Sequence, residues 1–269
     1  MDNKHVKLLR CRRHGIEAVE ADTTRAFGRH THEQFGVGLI ERGAQRSSSG
    51  RGVVEACAGD IITVNPGEVH DGAPIGDGGR SWRMLYLDPS VVAELVTDIT
   101  EGRGPSTIEF NHPTVRDSQI GTLFRALYLT LVSSDADQNE LRADEKLLLL
   151  LGRLLQPKAS ERRSVPAGIA SARALIDDDP AAVLTLTALA SEAGLSRYQF
   201  LRGFTRATGL PPHAYLMQRR IHRARQLIAR GVRLGDAAAE SGFSDQSHMT
   251  RLFVRSFGTA PGAYAKAVG

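Results

Sequence analysis

The last hundred or so residues of this 269-residue chain carry one pattern twice, and no other feature restricts its fold as much. The first copy reads LTLTALASEAGLSRYQFLRGFTRATGLPPHAY and the second VRLGDAAAESGFSDQSHMTRLFVRSFGTAPGAY. Ala190 matches Ala238 and Gly194 matches Gly242, an offset of 48. Phe200 then matches Met249, Phe204 matches Phe253, Gly209 matches Gly258, Pro212 matches Pro261 and Tyr215 matches Tyr264, an offset of 49. The extra residue falls in a turn, where an insertion disturbs least.

Each copy has the physics of a helix-turn-helix. Ala190 or Ala238 is small where a second helix must come close. Gly194 or Gly242 can take the positive φ that ends a helix and turns the chain. Leu195 or Phe243 then plugs the gap, and Ser196 or Ser244 is expected to cap the next helix. That helix buries Phe200 and Phe204, or Met249 and Phe253, at i and i+4. Its other face shows Tyr198, Gln199, Arg202 and Arg206 in the first copy, and Gln246, Ser247, Thr250, Arg251 and Arg255 in the second. Arginine bonds guanine in bidentate fashion, glutamine bonds adenine, and hydroxyls serve either a base or a phosphate.

Between the copies, PPHAYLMQRRIHRARQLIARG predicts one long helix, opened by Pro211 and Pro212 and closed by Gly231. Tyr215, Leu216, Ile221, Ala224, Leu227 and Ile228 supply its apolar face. Arg219, Arg220 and Arg223, with Arg230, supply a cationic face expected to meet phosphate. Charge agrees with that placement. Residues 166–269 hold thirteen Lys and Arg against seven Asp and Glu, whereas residues 1–165 hold 21 against 23. A basic half beside a mildly acidic one suits a polyanionic partner.

Residues 184–265 resemble the DNA-binding domain of the AraC/XylS family of bacterial regulators, most specifically through GFSDQSHMTRLFVRSFGTAPGAY. Met249 stands where that family usually has an aromatic residue. The resemblance implies double-stranded DNA as a partner, RNA polymerase as another if the protein activates, and a homodimer.

The front half reads as β. FGVGLIERG, RGVVEACAG, DIITVNPG and WRMLYLD are short, apolar or β-branched, and punctuated by Gly and Pro. After Asp88, helices are expected at DPSVVAELVTDIT, across 114–133, and from Asn139 to about Leu155. The run Leu147–Leu151 is apolar on more than one face and serves either packing within the domain alone or both the domain and a partner helix. QPKASERRSVPAG reads as a linker. The expected class is α+β with two domains: a cupin-like β-barrel followed by helices over 1–157, with a dimerisation segment at about 112–156, then a linker at 158–165. An all-α domain with two helix-turn-helix units joined by a long helix follows over 166–269.

HTH at His30–His32 and GDIITVNPGEVH at Gly59–His70 resemble the effector-binding cupin domain that precedes the DNA-binding domain in many members of the family. A small barrel can hold one small-molecule effector. Its expected lining is His30, His32, Leu39, Glu41, His70, Trp82, Met84 and Tyr86. His30, His32 and His70 are also candidate ligands for a divalent metal. Catalytic cupins add a carboxylate three or four residues after the second histidine, but those positions are Phe35 and Gly36. Glu33 and Glu41 stand at other spacings. No cofactor is required, and a metal at the three histidines stays open.

The expected function is therefore an effector-controlled DNA-binding regulator and not an enzyme. A metal-dependent cupin enzyme with an appended DNA-binding domain, or a regulator that needs no effector, are the alternatives. Two cysteines, Cys11 and Cys57, make no disulfide framework, no apolar run approaches the ~18 residues of a membrane span, and MDNKHVKLLRCRRHG lacks the core of a signal peptide. A cytoplasmic location without membrane contact is expected.

Overall fold

The computed structural model describes residues 5–11, 13–100, 108–133, 139–157 and 165–268. The chain divides into two compact units, 1–159 and 160–269. Apart from Val165, the expected linker lies outside the described residues.

The first unit opens with nine strands: β1 (His5–Leu9), β2 (Ile16–Thr23), β3 (Phe27–His30), β4 (Phe35–Arg42), β5 (Ala44–Ser49), β6 (Gly52–Cys57), β7 (Ile61–Val64), β8 (His70–Pro74) and β9 (Arg80–Leu87). Then come α1 (Pro89–Ile99), β10 (Ile108–Phe110), β11 (Thr114–Val115), α2 (Ser118–Val132), α3 (Asn139–Leu154) and β12 (Leu155–Pro157). One antiparallel sheet runs β1-β2-β9-β4-β7-β11, a second runs β3-β8-β5-β6, and β10 pairs with β12. Side chains of the two larger sheets meet across an interior, as where Arg80 Nε donates to Gln45 Oε1 at 2.8 Å.

Register assigns the faces of the larger sheet. Gly36 pairs with Tyr86, Gly38 with Met84 and Ile40 with Trp82. These residues share the interior side, because a strand alternates its side chains. Gly36 makes room there: a Cβ on it would stand 2.6 Å from Met84 Cε. The opposite side carries Val37, Leu39, Leu85 and Leu87 into a core with Phe124, Leu127 and Tyr128 of α2 and Leu147, Leu150 and Leu151 of α3. Burying each such side chain is worth roughly 2 kcal/mol, so this layer fixes the helices on the sheet. Leu147, Leu150 and Leu151 of the run thus pack within the domain, and Leu149 is left exposed.

The helix expected over 114–133 begins later. Thr114 and Val115 pair with β7, and Asp117 caps α2 by accepting from the backbone N–H groups of Gln119 and Ile120. The side chains of Asn139 and Glu140, expected to open α3, lie outside the described residues.

The second unit is helical: α4 (Ala167–Asp178), α5 (Leu186–Glu192), α6 (Arg197–Thr208), α7 (Pro212–Ala229), α8 (Leu234–Glu240), α9 (Gln246–Phe257) and α10 (Pro261–Val268). The pairs α5–α6 and α8–α9 are the two repeated copies, and α7 packs against members of both. With 18 residues, α7 is about 27 Å long.

Candidate functional site

The two turns are built alike up to their caps. Gly194 has φ 65° and Gly242 φ 82°, the left-handed region that a side chain resists. At Gly242 a Cβ would also stand 2.8 Å from the Cα of Ala181. Ala190 and Ala238 are buried beside the turns, and Phe243 plugs the second. Ser196 caps α6 in a capping box with Gln199, each side chain bonding the other residue's backbone N–H. In the second unit the cap is Asp245, not Ser244: its carboxylate accepts from the backbone N–H of His248 at 2.7 Å. That hydrogen bond, above all, holds the Asp245 carboxyl below its ordinary range. Ser244 is therefore the inserted residue, and Ser196 aligns with Asp245 at the offset of 49.

Phe200 and Phe204 of α6, and Met249 and Phe253 of α9, are fully buried. Their helices turn outward the residues expected from the sequence. Tyr198, Gln199, Arg202 and Arg206 are exposed on α6, with the Arg202 guanidinium 5.7 Å from the Tyr198 ring. Gln246, Ser247, Arg251 and Arg255 are exposed on α9, and Thr250 is half-buried. Gln199 is engaged in its capping box, so only part of its amide is left for a base. Arg197 is also exposed, at the first position of α6. It matches Gln246 at the offset of 49.

The cationic face of α7 is divided. Arg219 pairs with Asp177 of α4 at 3.0 Å. Asp177 also accepts from the Tyr215 hydroxyl at 2.8 Å and from Arg173 at 3.2 Å. Arg220 is committed to backbone carbonyls: its Nε to Pro180 at 2.7 Å, Nη1 to Gly242 at 2.5 Å and Nη2 to Ala182 at 3.2 Å. Arg220 is therefore a tie within the unit, because its hydrogen-bonding groups are spent on the segment after α4 and the second turn, while Arg219 is ion-paired to α4. Arg223 keeps a half-exposed side chain, 3.4 Å from a carboxylate oxygen of exposed Asp179.

In the first unit, the interior gathers His30, His32, His70 and Tyr86. Ring centroids lie 4.4 Å apart for His30 and His70, 5.0 Å for His30 and His32, and 4.6 Å for His32 and Tyr86. Nδ1 of His30 donates to the Gly28 carbonyl at 2.7 Å and Nδ1 of His70 to the Glu68 carbonyl at 3.0 Å. Each then presents a bare Nε2. Trp82 and Met84 share this side with Tyr86. Leu39 and Glu41 do not. Leu39 lies in the helix-facing core, and Glu41 meets Arg83 at 3.4 Å and Arg125 of α2 at 3.1 Å. The alternation puts both on the outer side, so neither lines the interior.

Burial drives His30 down to about 3 and His70 down to about 4 from an ordinary 6.5. Both are neutral at pH 7. The unfolded chain therefore binds more protons than the folded one between about pH 4 and 6.5, and stability falls as pH falls through that window. From pH 7 to pH 5 the first unit is expected to lose on the order of 3 kcal/mol. Thermal unfolding at the two pH values checks this, and an unchanged Tm contradicts it.

The three histidines offer ligand nitrogens within 4.8 Å of one another. Neutral imidazoles oriented by a second hydrogen bond are the donors that zinc or iron prefers, so the set fits a divalent ion with an open position.

Both units of the chain match known protein families. Residues 13–151 match the model of the AraC-like ligand binding domain, and residues 189–267 match a helix-turn-helix domain. YbfI of Bacillus subtilis, an HTH-type transcriptional regulator, is 31% identical over 228 residues, which are 83% of this chain and 81% of that protein. RhaS of Escherichia coli, an HTH-type transcriptional activator, is 28% identical over 181 residues, which are 67% of this chain and 55% of that protein. The fold is similar to that of apo ToxT from Vibrio cholerae, with a TM-score of 0.59 and 13% identity over 97% of this chain and 100% of that one. Among the described residues no helix is long and apolar enough to cross a membrane. With a ligand-binding domain matched over half its length and a duplicated DNA-binding helix-turn-helix behind it, this chain belongs to the AraC family of transcriptional regulators.

Proposed function

We propose that this protein is a sequence-specific regulator whose DNA affinity is set by a small molecule held between the two sheets of its first unit. The duplicated helix-turn-helix carries the reading. Both recognition helices bury their aromatic or Met side and leave polar and cationic side chains outward. The effector surface comprises His30, His32, His70, Trp82, Met84 and Tyr86, without Leu39 and Glu41. A ligand that binds every state of the protein equally regulates nothing, so the effector must favour one DNA-binding competence over another. Exposed Leu129 on α2 and Leu141 and Leu149 on α3 support a homodimer through these helices. RNA polymerase is the further partner if the protein activates.

A paired substitution tests the DNA-reading surface, using a duplex selected by the protein from random DNA. Arg251→Ala is expected to weaken specific binding by about 1–3 kcal/mol and to relax preference at one or two positions. Arg223→Ala is expected to weaken all sequences alike and to lower the salt slope by about 1. Unchanged affinity and preference for the Arg251 variant would remove α9 from the role of reader.

The histidine cluster favours a second reading, a metal-dependent enzyme joined to a DNA-binding domain. His30, His32 and His70 would hold the ion, which would supply Lewis acidity. The nearest carboxylate of the expected spacing is absent, and Glu41 is ion-paired on the outer side of the sheet. The regulator reading expects no tightly held metal in purified protein. Stoichiometric iron or zinc by elemental analysis would favour the enzyme.

A further inference from the structure

Among the described residues, the interior of the first unit holds a positive charge with no ion-pair partner. Arg80, at the start of β9, is 2% exposed. Alternation along β9 aims it to the same side as Trp82, Met84 and Tyr86. Its Nε donates to Gln45 Oε1 at 2.8 Å, Nη1 to the Arg25 carbonyl at 3.1 Å and Nη2 to the Gly72 carbonyl at 3.1 Å. All three acceptors are neutral. Among the described residues Arg80 makes no ion pair, and one N–H on each terminal nitrogen has no acceptor. Burial brings its pKa down only to about 10, so it is charged at neutral pH. Taking a lone ion out of water is among the costlier things a fold can do.

The surroundings are those of a built site. The Trp82 ring lies 4.7 Å and the Phe27 ring 5.9 Å from the guanidinium carbon. Phe27 in turn lies 6.1 Å from Trp82 and 6.3 Å from His30, linking the charge to the histidine cluster. Phe27, Ser47, Trp82 and Tyr86 belong to the inward-facing set yet are only half-buried, so this set is not sealed from solvent. The histidines add no charge, since burial keeps His30 and His70 neutral.

We propose that this interior takes a small aromatic or arylalkyl monocarboxylate. Its carboxylate sits on Arg80, its ring lies against Trp82 and Phe27, and its far end faces the imidazoles and the Tyr86 hydroxyl. One guanidinium that makes no ion pair balances one negative charge, which favours a carboxylate over a doubly charged phosphate. Arginine also matches the planar fork of a carboxylate. The inference rests on the reading of the interior as the effector site and adds the ligand's chemical class.

Trp82 is the chain's sole tryptophan, so its emission reports directly on this site. The full-length protein is titrated with benzoate, 3-phenylpropionate, their two primary amides and glucose, following Trp82 fluorescence and Tm. The acids are expected to shift the emission and raise the Tm, with each amide binding at least tenfold more weakly. Arg80→Gln should erase the preference for acid over amide, and Arg80→Lys should keep part of it. The acid–amide comparison on the unsubstituted protein stands even if the variants do not fold. Amides or glucose binding as well as the acids would overturn the charge inference while leaving the effector site in place. No response to any of the five compounds would overturn both.

Discussion

Phe253→Ala is expected to destabilise the second helix-turn-helix by about 3–5 kcal/mol, the usual cost of emptying a buried aromatic site. Phe253 is 0% exposed and packs its ring 4.7 Å from Phe257 and 5.5 Å from Tyr264. Those contacts join α9 to α10 and to its own last turn, so the recognition helix loses its main anchor. Amide protection along α9 should fall by at least a hundredfold, since every 1.4 kcal/mol is a factor of ten. DNA affinity should fall with it, although no DNA-facing side chain has changed. Protection within tenfold of the original would show that α9 is held by something else.

Arg220→Met is expected to cost on the order of 3 kcal/mol, because it strands three carbonyls that one guanidinium now serves. Arg220→Lys should rescue little, since a single ammonium cannot span acceptors on Pro180, Ala182 and Gly242 at once. Gly242 ends the turn before α9, so the loss should appear as weaker binding at every salt concentration with an unchanged salt slope. Burial lowers the Arg220 pKa, as expected of a group withdrawn from water. A normal melting curve with a salt slope reduced by about 1 would instead return Arg220 to the phosphate-contact role.

The contrast between Arg220 and Arg223 shows where the sequence stops being legible. On a helical wheel Arg219, Arg220 and Arg223 are equivalent cations. Their roles are decided by Asp177, Asp179, Pro180 and Gly242, which lie some 20 to 45 residues away and are brought near by the tertiary fold. The turns were legible because their chemistry is local. A glycine at positive φ, a small residue four before it and a capping group after it show directly in residue types. The cap of the second turn moved by one residue because Ser244 and Asp245 both cap well, and only the backbone decides between them.

Face assignment failed in a similar way at Leu39 and Glu41. An apolar strand buried on both sides has no alternation to read, and a phase error of one residue transfers every side chain to the other face. Pairing of Ile40, not Leu39, with Trp82 sets the phase. The strands β3, β5 and β8 are not legible in the sequence, because FGRH, AQRSSS and HDGAP are too polar or too short to show a pattern. Arg80 was hidden for another reason. An arginine at a strand end reads as a surface residue until its burial is seen.

Selection of binding sites from random duplex DNA, run with the full-length protein and with its Arg251→Ala variant, tests the central claim most directly. Two recognition helices on one long helix are expected to enrich a non-palindromic site with two informative blocks about one helical turn apart, roughly 10 base pairs. The variant should lose information in one block and keep the other. Enrichment of no sequence, or an identical site from both proteins, would contradict the account.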